Sequence, residues 1–542
     1  MKSITIFFAI VYSSLNLVSQ NAKLQHNWAI SIGGIHYDDI LSISQDSAGN
    51  IYSTGYFHLN SNFDPTSRII DRVSQGAEDI FVMKSSPIGR VLWVRNFGSK
   101  LDDRGSAIIC DQKGGVYVSG AFKDSIRFNG TDSNGVLYRT DFGSFLLKLD
   151  EDGQFEWVRG MGYYGGHSTN LDLFSNGDVL VTCGNFYSKY ISSGGRVFAK
   201  DFSAPNMGYV HRIFDAKIDH KDNIILVGDY YNRLTPDYRN VIQCLDYAGR
   251  VKWTKGYGDG FLANGGTGLA INLSGDVILT SGFIGTINFS GDSANPVIKT
   301  AQKLTTYILS LDSSGEFNRV YAFPTTSNST SFGNKIAVHS NCDVYFNGSL
   351  SGDVVIDPKG KKIELKAKYY YDMFLMKLSP NFEFGWVGLL EGAGNNYSSD
   401  ILIDEKKGEM LISGSLIGEI DMVMDKGGVS NFNLKSKGFT DGFISNYAIP
   451  HPTSINNYDL KKDIKLFPNP ANNQLTISLE NDSEIKKSYV ISSTNGQLLL
   501  TGEFVSGEQE STLNIERLNA GVYTLQIQSE TSNYVLSFIK AE

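Results

Sequence analysis

A short block of strand-forming residues recurs seven times along this chain, and a repeat of that kind limits the possible folds more than any other feature. Each copy starts and ends with a small or turn-forming residue and holds apolar residues between them. The copies are Gly49–Gly55, Gly114–Gly120, Gly177–Cys183, Asp222–Gly228, Gly275–Ser281, Cys342–Gly348 and Gly408–Gly414. Their starts lie between 45 (177 to 222) and 67 (275 to 342) residues apart, which is enough for one four-stranded sheet per copy.

A second block follows most copies and places a tryptophan nine residues after a lysine or the residue that replaces it. It occurs as Lys84 to Trp93, Lys148 to Trp157, Cys244 to Trp253 and Lys377 to Trp386, with a degenerate copy from Ser310 to Arg319. A constant spacing across a Gly or Asn turn predicts a β-hairpin. The tryptophans are expected to fill the gaps between neighbouring sheets.

Alternating β-branched and aromatic residues with tight turns between them predict an all-β repeat fold. Such sheets can be arranged radially as a propeller or stacked as a β-solenoid, whose coils are usually much shorter than this repeat. We therefore predict a seven-bladed β-propeller over residues 20–448. The copy that starts at Gly177 has no recognisable Lys-to-Trp block, so six blades with an insertion near residues 187–215 is the alternative.

The two ends of the repeat region complement each other. Trp28–Gly33 looks like a tryptophan strand with no partner before it, and Asp441–Asn446 looks like a lysine-type strand with no tryptophan strand after it. We therefore expect the first strand to complete the last sheet, with Trp28 packed near Phe443, because this removes the open edges that invite aggregation.

The repeat resembles the bacterial propeller repeat called SBBP, whose features are Asp-x-x-Gly-Asn-Ile-Tyr-x-x-Gly and an aromatic-rich strand ending in Lys-Leu-Asp-x-x-Gly. The resemblance spans about residues 23–448. These motifs are turns and strands, so the resemblance implies a fold and not a chemistry.

Residues 1–19 have the pattern of a secretory signal peptide, with Lys2 at the start and an apolar run from Ile4 to Val11. The alternative is a membrane anchor, but the apolar run is well short of the ~20 residues that a span needs. Residues 449–463 are polar and proline-containing, which predicts a linker.

The last 79 residues, 464–542, have a new arrangement of short strands that predicts a small β-sandwich. The predicted strands are Leu475–Leu479, Lys487–Ser492, Gln497–Glu503, Ser511–Ile515, Gly521–Gln528 and Asn533–Ile539, with turns at Asn495-Gly496 and Asn519–Gly521.

This segment resembles the type A sorting domain that ends the cargo of the type IX (Por) secretion system in Bacteroidetes-like bacteria. The residues that carry the resemblance are Leu466, Pro468, Asn469, Pro470, Asn495, Gly496, Gly521, Val522 and Tyr523. The family implies passage through the periplasm, recognition of this domain by the type IX machinery, and then release or anchoring at the outer-membrane surface. Family members often end in a basic-apolar-basic tail, whereas this chain ends Lys540-Ala541-Glu542.

The composition of the chain limits the classes of ligand that it can bind. The formal net charge of -9 and the absence of a Lys/Arg run argue against nucleic acid. The four cysteines, Cys110, Cys183, Cys244 and Cys342, lie in different repeats without metal-ligand spacing, so buried free thiols are favoured over disulfides or a metal site.

No nucleophile, zinc or nucleotide motif is present, so neither a catalytic residue nor a cofactor is predicted. The acidic clusters Asp38-Asp39, Asp102-Asp103 and Asp150–Asp152 are expected to form turns and to aid solubility. Oxygen-rich turns at Asp46–Asn50 and Asp219–Asn223 are interpreted as Asx turns in preference to calcium loops. The tyrosine groups Tyr163-Tyr164, Tyr230-Tyr231 and Tyr369–Tyr371 fit either strand packing or a binding face.

Two functions remain open. The favoured one is a secreted, non-enzymatic propeller that binds an extracellular protein or glycan, or that serves as a structural protein. The other is a secreted polysaccharide hydrolase or lyase that draws carboxylates from several blades, which sequence spacing does not reveal.

Overall fold

The computed structural model describes two parts of the chain, residues 24–449 and 464–541, and its named elements are all β-strands. Within these parts it leaves out residues 65–69, 112, 130–134, 163–168, 203–208, 233–236, 258–267, 293, 357–359, 361, 368–369, 423–432, 480–487, 494–497, 505–509 and 529–532. The predicted signal peptide and nearly all of the predicted linker lie outside the described residues. The chain divides into two compact units, Met1–Ile449 and Pro450–Glu542, which we call the first and second units.

The first unit holds the strands β1 to β32. In chain order they are β1 Gln25–Gly34, β2 Asp39–Gln45, β3 Ile51–Asn62, β4 Asp71–Ser85, β5 Val91–Phe97, β6 Arg104–Cys110, β7 Val116–Arg127, β8 Val136–Leu149, β9 Phe155–Gly162, β10 Thr169–Leu173, β11 Val179–Cys183, β12 Phe186–Tyr190, β13 Arg196–Asp201, β14 Tyr209–Ile218, β15 Ile224–Asn232, β16 Asp237–Leu245, β17 Val251–Tyr257, β18 Gly268–Ile271, β19 Val277–Asn288, β20 Ile298–Leu311, β21 Phe317–Ala322, β22 Thr330–Val338, β23 Val344–Ser351, β24 Asp353–Ile356, β25 Ile363–Lys366, β26 Asp372–Leu378, β27 Phe384–Leu390, β28 Tyr397–Asp404, β29 Glu409–Leu416, β30 Glu419–Asp421, β31 Asn433–Lys435 and β32 Asp441–Ala448.

These strands form small antiparallel sheets in chain order. Within the described residues, β6–β9, β10–β13, β14–β17, β18–β21 and β22-β23-β26-β27 are separate four-stranded sheets. An eight-stranded sheet joins β2–β5 to β28, β29 and β32 through β1. Short hairpins β24-β25 and β30-β31 extend two of the loops.

The recurring blocks form the same element each time, because each turn of small residues leads into an apolar strand. Every copy of the first block forms the second strand of its four. In the second block the lysine position lies directly opposite the tryptophan, as in the pairs Lys84 with Trp93 and Lys148 with Trp157. The predicted hairpins are therefore confirmed.

The sheet that contains the third copy differs from its prediction. Residues 186–201, which the six-blade alternative assigned to an insertion, form the hairpin β12-β13. Lys189 lies opposite Phe198, nine residues later, so a phenylalanine stands where the other hairpins have a tryptophan. The spacing was present in the sequence, but the changed residue type concealed it.

The first strand pairs with the last strand of the unit. Strand β1 runs antiparallel to β32, with Trp28 opposite Asn446 and Ser31 opposite Phe443, so the expected pairing of the two strands is observed. The expected packing of Trp28 near Phe443 is wrong, because the two side chains belong to different buried clusters. Its C-terminal end turns to the neighbouring sheet, where Gly33 and Gly34 pair with β3.

Trp93, Trp157 and Trp253 connect their sheets to the next, as predicted. Trp93 Nε1 donates to the carbonyl of Glu151 (3.2 Å), which lies in the turn of the following sheet, and Trp253 Nε1 donates to that of Ser313 (3.2 Å). The turn glycine makes room for the indole: a Cβ on Gly315 would lie 2.8 Å from the Trp253 ring. In the degenerate copy Arg319 takes this role and donates to Pro380 O and Asn381 Oδ1.

The buried core of the first unit is divided between successive sheets. Each cluster combines apolar residues from two neighbouring sheets, such as Val82 with Val118 and Ile242 with Leu279. The first strands contact one another in the order β2, β6, β10, β14, β18, β22 and β28, and β28 contacts β2.

The second unit has seven described strands in two sheets. They are β33 Ile464–Phe467, β34 Gln474–Leu479, β35 Ser488–Ser493, β36 Leu498–Glu503, β37 Glu510–Asn514, β38 Gly521–Gln528 and β39 Asn533–Lys540. The sheets β33-β34-β37 and β36-β35-β38-β39 share one core that includes Ile477, Ile491 and Leu525. The six predicted strands match observed strands to within one residue at each end.

Candidate functional site

A cavity of about 480 Å³ lies where the first strands of the seven strand sets meet. The residues lining it include Ser42, Ala107, Asn170, Asp215, Ala270, Lys335 and Asp400. Every set contributes to the wall, so a ligand there would contact many sheets at once. We treat this cavity as the candidate functional site.

The cavity wall carries charged side chains of both signs. Lys335 Nζ lies 3.1 Å from Asp215 Oδ2 and forms an ion pair across two first strands. Burial by itself lowers the pKa of Lys217, but the carboxylates of Asp172, Asp215 and Asp400 more than offset it, so this pKa lies above its ordinary value. Lys217 therefore stays protonated beside the three aspartates.

Both carboxylate oxygens of each of these aspartates accept backbone hydrogen bonds. One oxygen accepts from the next residue of its own strand: Leu173 N to Asp172 (2.9 Å), Ala216 N to Asp215 (2.8 Å) and Ile401 N to Asp400 (3.0 Å). The other accepts from the neighbouring first strand: Ile218 N to Asp172 (2.7 Å), Leu269 N to Asp215 (3.1 Å) and Ile43 N to Asp400 (3.0 Å).

These contacts have a structural cause. The first strand forms a ladder with its own sheet on one side, so its other side presents backbone N–H groups that need acceptors. Serines act in the same way, since Cys110 N donates to Ser44 Oγ (3.0 Å). The aspartates thus join adjacent sheets, and burial raises the pKa of Asp172 above its usual range.

Sequence reasoning missed this cavity, although a signal was present. One position in or next to each first strand, which we call the wall position, recurs at a fixed distance from the first block. It lies seven residues before the start of the block in six copies and eight residues before it in the last copy. The residues at that position are Ser42, Ala107, Asn170, Asp215, Gly268, Lys335 and Asp400; all but Gly268 line the cavity, and five of the seven are polar. Alignment of the copies on their blocks would have shown this polar column.

The acidic clusters picked out from the sequence occupy other places. Asp38 accepts from Gly34 N (2.8 Å) and Ser61 Oγ (2.6 Å), and Asp103 accepts from Lys123 N (3.0 Å). Both carboxylates are buried, so the expectation that these clusters aid solubility is wrong for them, and they lie in the extended ends of loops and not in turns. They hold the loops that lead into β2 and β6.

Burial also perturbs the acid strength of several aspartates near these loops. It raises the pKa of Asp39, Asp103 and Asp441 to about 7. Asp38 adds to the effect at Asp39 and Asp441, because a second negative charge disfavours ionisation.

The turns weighed as calcium loops are Asx turns. Asp46 Oδ1 accepts from Ala48 N (3.0 Å) and Asn50 N (2.8 Å), and Asp219 Oδ1 accepts from the equivalent backbone groups. Asp150 caps the turn of its cluster in the same way, through Gln154 N (2.7 Å). Among the described residues, no group of three or more His, Cys, Asp or Glu side chains is placed to hold a metal ion.

The tyrosine groups lie only partly within the described residues. Tyr163, Tyr164 and Tyr369 lie outside the described residues, and Tyr230 and Tyr231 belong to β15. Tyr370 is 80% exposed. Tyr371 packs edge-on against Phe332, at 5.3 Å between ring centroids.

The cysteines are unbridged, and all four lie within the described residues. Cys110, Cys183 and Cys244 are buried as expected. Cys342 is only half-buried, because it occupies a left-handed turn position with φ of 64°.

In the second unit, the proline-rich segment of the predicted sorting motif lies beside β39. Ile539 N donates to Asn469 Oδ1 (2.9 Å), and Ala471 bridges to Lys540. Leu466 packs on the core, and Tyr523 Oη donates to Asn519 O (2.7 Å), which closes the turn before β38. Val522 and Gly521 lie in β38, while Asn495 and Gly496 are outside the described residues.

Comparison with protein families agrees with this part of the chain. Residues 465–541 match the family described as the secretion system C-terminal sorting domain. The second unit is therefore a sorting domain of the type IX secretion system, and the protein is secreted by that system to the cell surface or beyond it. The described part of the chain contains no helical segment with the length and hydropathy of a membrane span.

Comparisons of the whole chain give distant likenesses. An uncharacterised WD repeat-containing protein of Acanthamoeba polyphaga mimivirus is 24% identical over 265 residues, which covers 38% of this chain and 19% of that protein. The chain thus matches about a fifth of the length of that curated relative.

Among solved structures, PorZ, a surface component of the type IX secretion system of Porphyromonas gingivalis, is 11% identical, with 93% of this chain and 81% of that chain covered and a TM-score of 0.22. The polysaccharide lyase Uly1 is 9% identical, with 78% of this chain and 100% of that chain covered and a TM-score of 0.41. Likeness of this extent identifies neither a ligand nor an activity.

Proposed function

We propose that the first unit is a closed, seven-bladed β-propeller of the SBBP-like repeat type. Three observations support this: the seven strand sets follow one another in chain order, their first strands contact in sequence from β2 round to β28, and β1 pairs with β32. Closure of this kind leaves no sheet edge at the junction of the two chain ends.

We further propose that the chain begins with a signal peptide at residues 1–19, and that a linker at 449–463 separates the propeller from the sorting domain. Leu466, Pro468, Asn469 and Pro470 with the turns around Gly496 and Tyr523 are the proposed determinants of sorting. The contact between Asn469 and Ile539 supports this assignment, because it joins the motif to the last strand of the domain.

The mature protein is then a secreted, non-enzymatic binding protein at the cell surface or outside the cell. The observation that carries this proposal is the state of Asp215 and Asp400, which line the cavity, and of Asp172 beside them. Each oxygen of Asp172, Asp215 and Asp400 already accepts a hydrogen bond from a fixed backbone N–H group. A hydrolase needs a carboxylate pair that is free to take up and release protons beside its substrate.

Turnover assays on the purified, secreted protein test this proposal. Neutral and uronate-containing polysaccharides would be incubated with it, and both reducing ends and unsaturated products would be measured. We expect no product above the rate without protein. Turnover that disappears in an Asp400→Asn variant with an unchanged circular dichroism spectrum would show that the cavity is an active site.

A further inference from the structure

A position of backbone strain recurs in the first unit, and one copy of it carries an unusual residue. In five of the seven copies, the residue four positions after the first block has a positive φ, between 61° and 91°. These residues are Leu59, Asp124, Gly285, Gly352 and Gly418. Glycine and aspartate tolerate this conformation, whereas leucine rarely adopts it.

The strained leucine has no role in the core. Its backbone N–H donates to Ser74 Oγ (2.9 Å), a bond that any residue could make. Its side chain is exposed and is absent from the buried clusters of the unit. A costly conformation that presents an apolar side chain to solvent points to a role outside folding.

Leu59 follows His58, whose ring belongs to a group of partly exposed rings. Tyr37 and Phe439 are stacked with centroids 5.0 Å apart, and His36 lies 4.7 Å from His58 and 6.2 Å from Phe439. We define the loop patch as Ile35, His36, Tyr37, His58, Leu59 and Phe439. Four of its members are large apolar residues with exposures of 66% (Ile35), 46% (Tyr37), 40% (Leu59) and 55% (Phe439).

The backbone holds this patch in place. Thr440 N donates to His36 O (3.2 Å) and Asp38 N donates to Thr440 O (3.0 Å), so the loop after β1 is tied to the segment before β32. The patch lies at the end of β1 opposite to the pairing of Gln25 with Ala448. The chain therefore leaves the first unit, at Ile449, far along the strands from the patch.

The size and charge of the patch indicate its ligand. Six partly exposed side chains offer on the order of 400–500 Å², about half of the ~800 Å² per partner that a stable protein complex buries. The formal net charge of -9 opposes the binding of a polyanion. The imidazoles of His36 and His58 make no hydrogen bond to a described residue, so they can bond to hydroxyl groups.

We propose that the loop patch binds a neutral polysaccharide, with sugar rings stacked on Tyr37 and Phe439, Leu59 against their apolar faces, and the two histidines bonded to hydroxyls. This rests on the binding function proposed above and names its ligand class. It also gives a role to a leucine at a position where the other four copies with positive φ have glycine or aspartate.

Affinity electrophoresis of the full secreted chain tests the proposal. The gels would contain a neutral glycan (amylose, laminarin, xylan or galactomannan) or, as the polyanion, alginate. We expect retardation by at least one neutral glycan and none by alginate. Leu59→Gly should weaken that binding tenfold or more while the Tm stays the same or rises by about 1–2 °C, because the strain is relieved. Tyr37→Ala should abolish the binding.

Two matched controls isolate the patch. Asp124→Gly makes the same backbone change in the next sheet, and Tyr138→Ala removes an even more exposed tyrosine elsewhere, so neither should alter binding. Retardation by a neutral glycan that survives both Leu59→Gly and Tyr37→Ala would overturn the site but keep the binding function. Absence of retardation by all four neutral glycans, or retardation by alginate alone, would overturn the ligand class. Glycan cleavage would instead count against the proposed function.

Discussion

The packing of tryptophans against turn glycines of the next sheet can be tested at Gly315. This residue has φ of +84°, and a Cβ there would lie 2.8 Å from the Trp253 ring. Gly177 is the matched control, because it has φ of +83° in an equivalent turn and open space where its Cβ would point. Gly177→Ala should cost about 1–2 kcal/mol for the left-handed backbone alone. Gly315→Ala should cost about 1–3 kcal/mol more, because the indole must move.

Urea unfolding followed by tryptophan fluorescence measures the difference well. All five tryptophans lie in the first unit, so the signal reports on that unit without contribution from the sorting domain. In the Trp253→Phe background the extra cost of Gly315→Ala should fall by about 1 kcal/mol, since the two sites are in contact. Equal losses for Gly315→Ala and Gly177→Ala would refute the idea that the indole fills this space.

Three further results are expected. Deletion of residues 464–542 should trap the protein in the periplasm, and a culture supernatant with normal amounts of the truncated chain would contradict the sorting assignment. Burial raises the pKa of Asp103 and Asp441 to about 7, so the folded state keeps protons that the unfolded state releases above pH ~4. The free energy of unfolding should therefore fall as the pH rises from about 4 to 7. Asp103→Asn should make this pH dependence weaker in urea titrations. Asp215→Ala should lower the free energy of unfolding by about 3–5 kcal/mol, because it leaves Lys335 and two backbone N–H groups without their acceptor. Lys335→Met, measured beside it, should cost less, and the reverse order would argue against the role given to Asp215.

The strands could be predicted from the sequence because their signals are local. A turn of fixed length sets which residues lie opposite each other, so the nine-residue spacing from Lys84 to Trp93 was sufficient to identify a hairpin. The same reasoning failed at Lys189, where the partner is a phenylalanine and the expected tryptophan is missing. Spacing was the reliable signal there, and residue type was not.

The cavity and the buried aspartates could not be read in this way. Asp215 and Lys335 are 120 residues apart and meet only because their strands come from different sheets. Asp38 and Asp103 look like surface residues in the sequence, since nothing local shows that a neighbouring sheet will cover them. Contacts between sheets depend on how all the sheets are arranged in space, and a single sequence contains little information about that arrangement.

The pairing of β1 with β32 has a consequence for the order in which the chain matures. Residues 25 and 448 are partners although 423 positions separate them, so the first strand emerges during synthesis long before its partner exists. Until then its apolar residues, such as Ile30 and Ile32, have no sheet to join. The complete repeat region must therefore reach one compartment before β1 can pair with β32. A chain whose export stops before β32 has crossed the membrane would expose the unpaired β1 to other protein molecules.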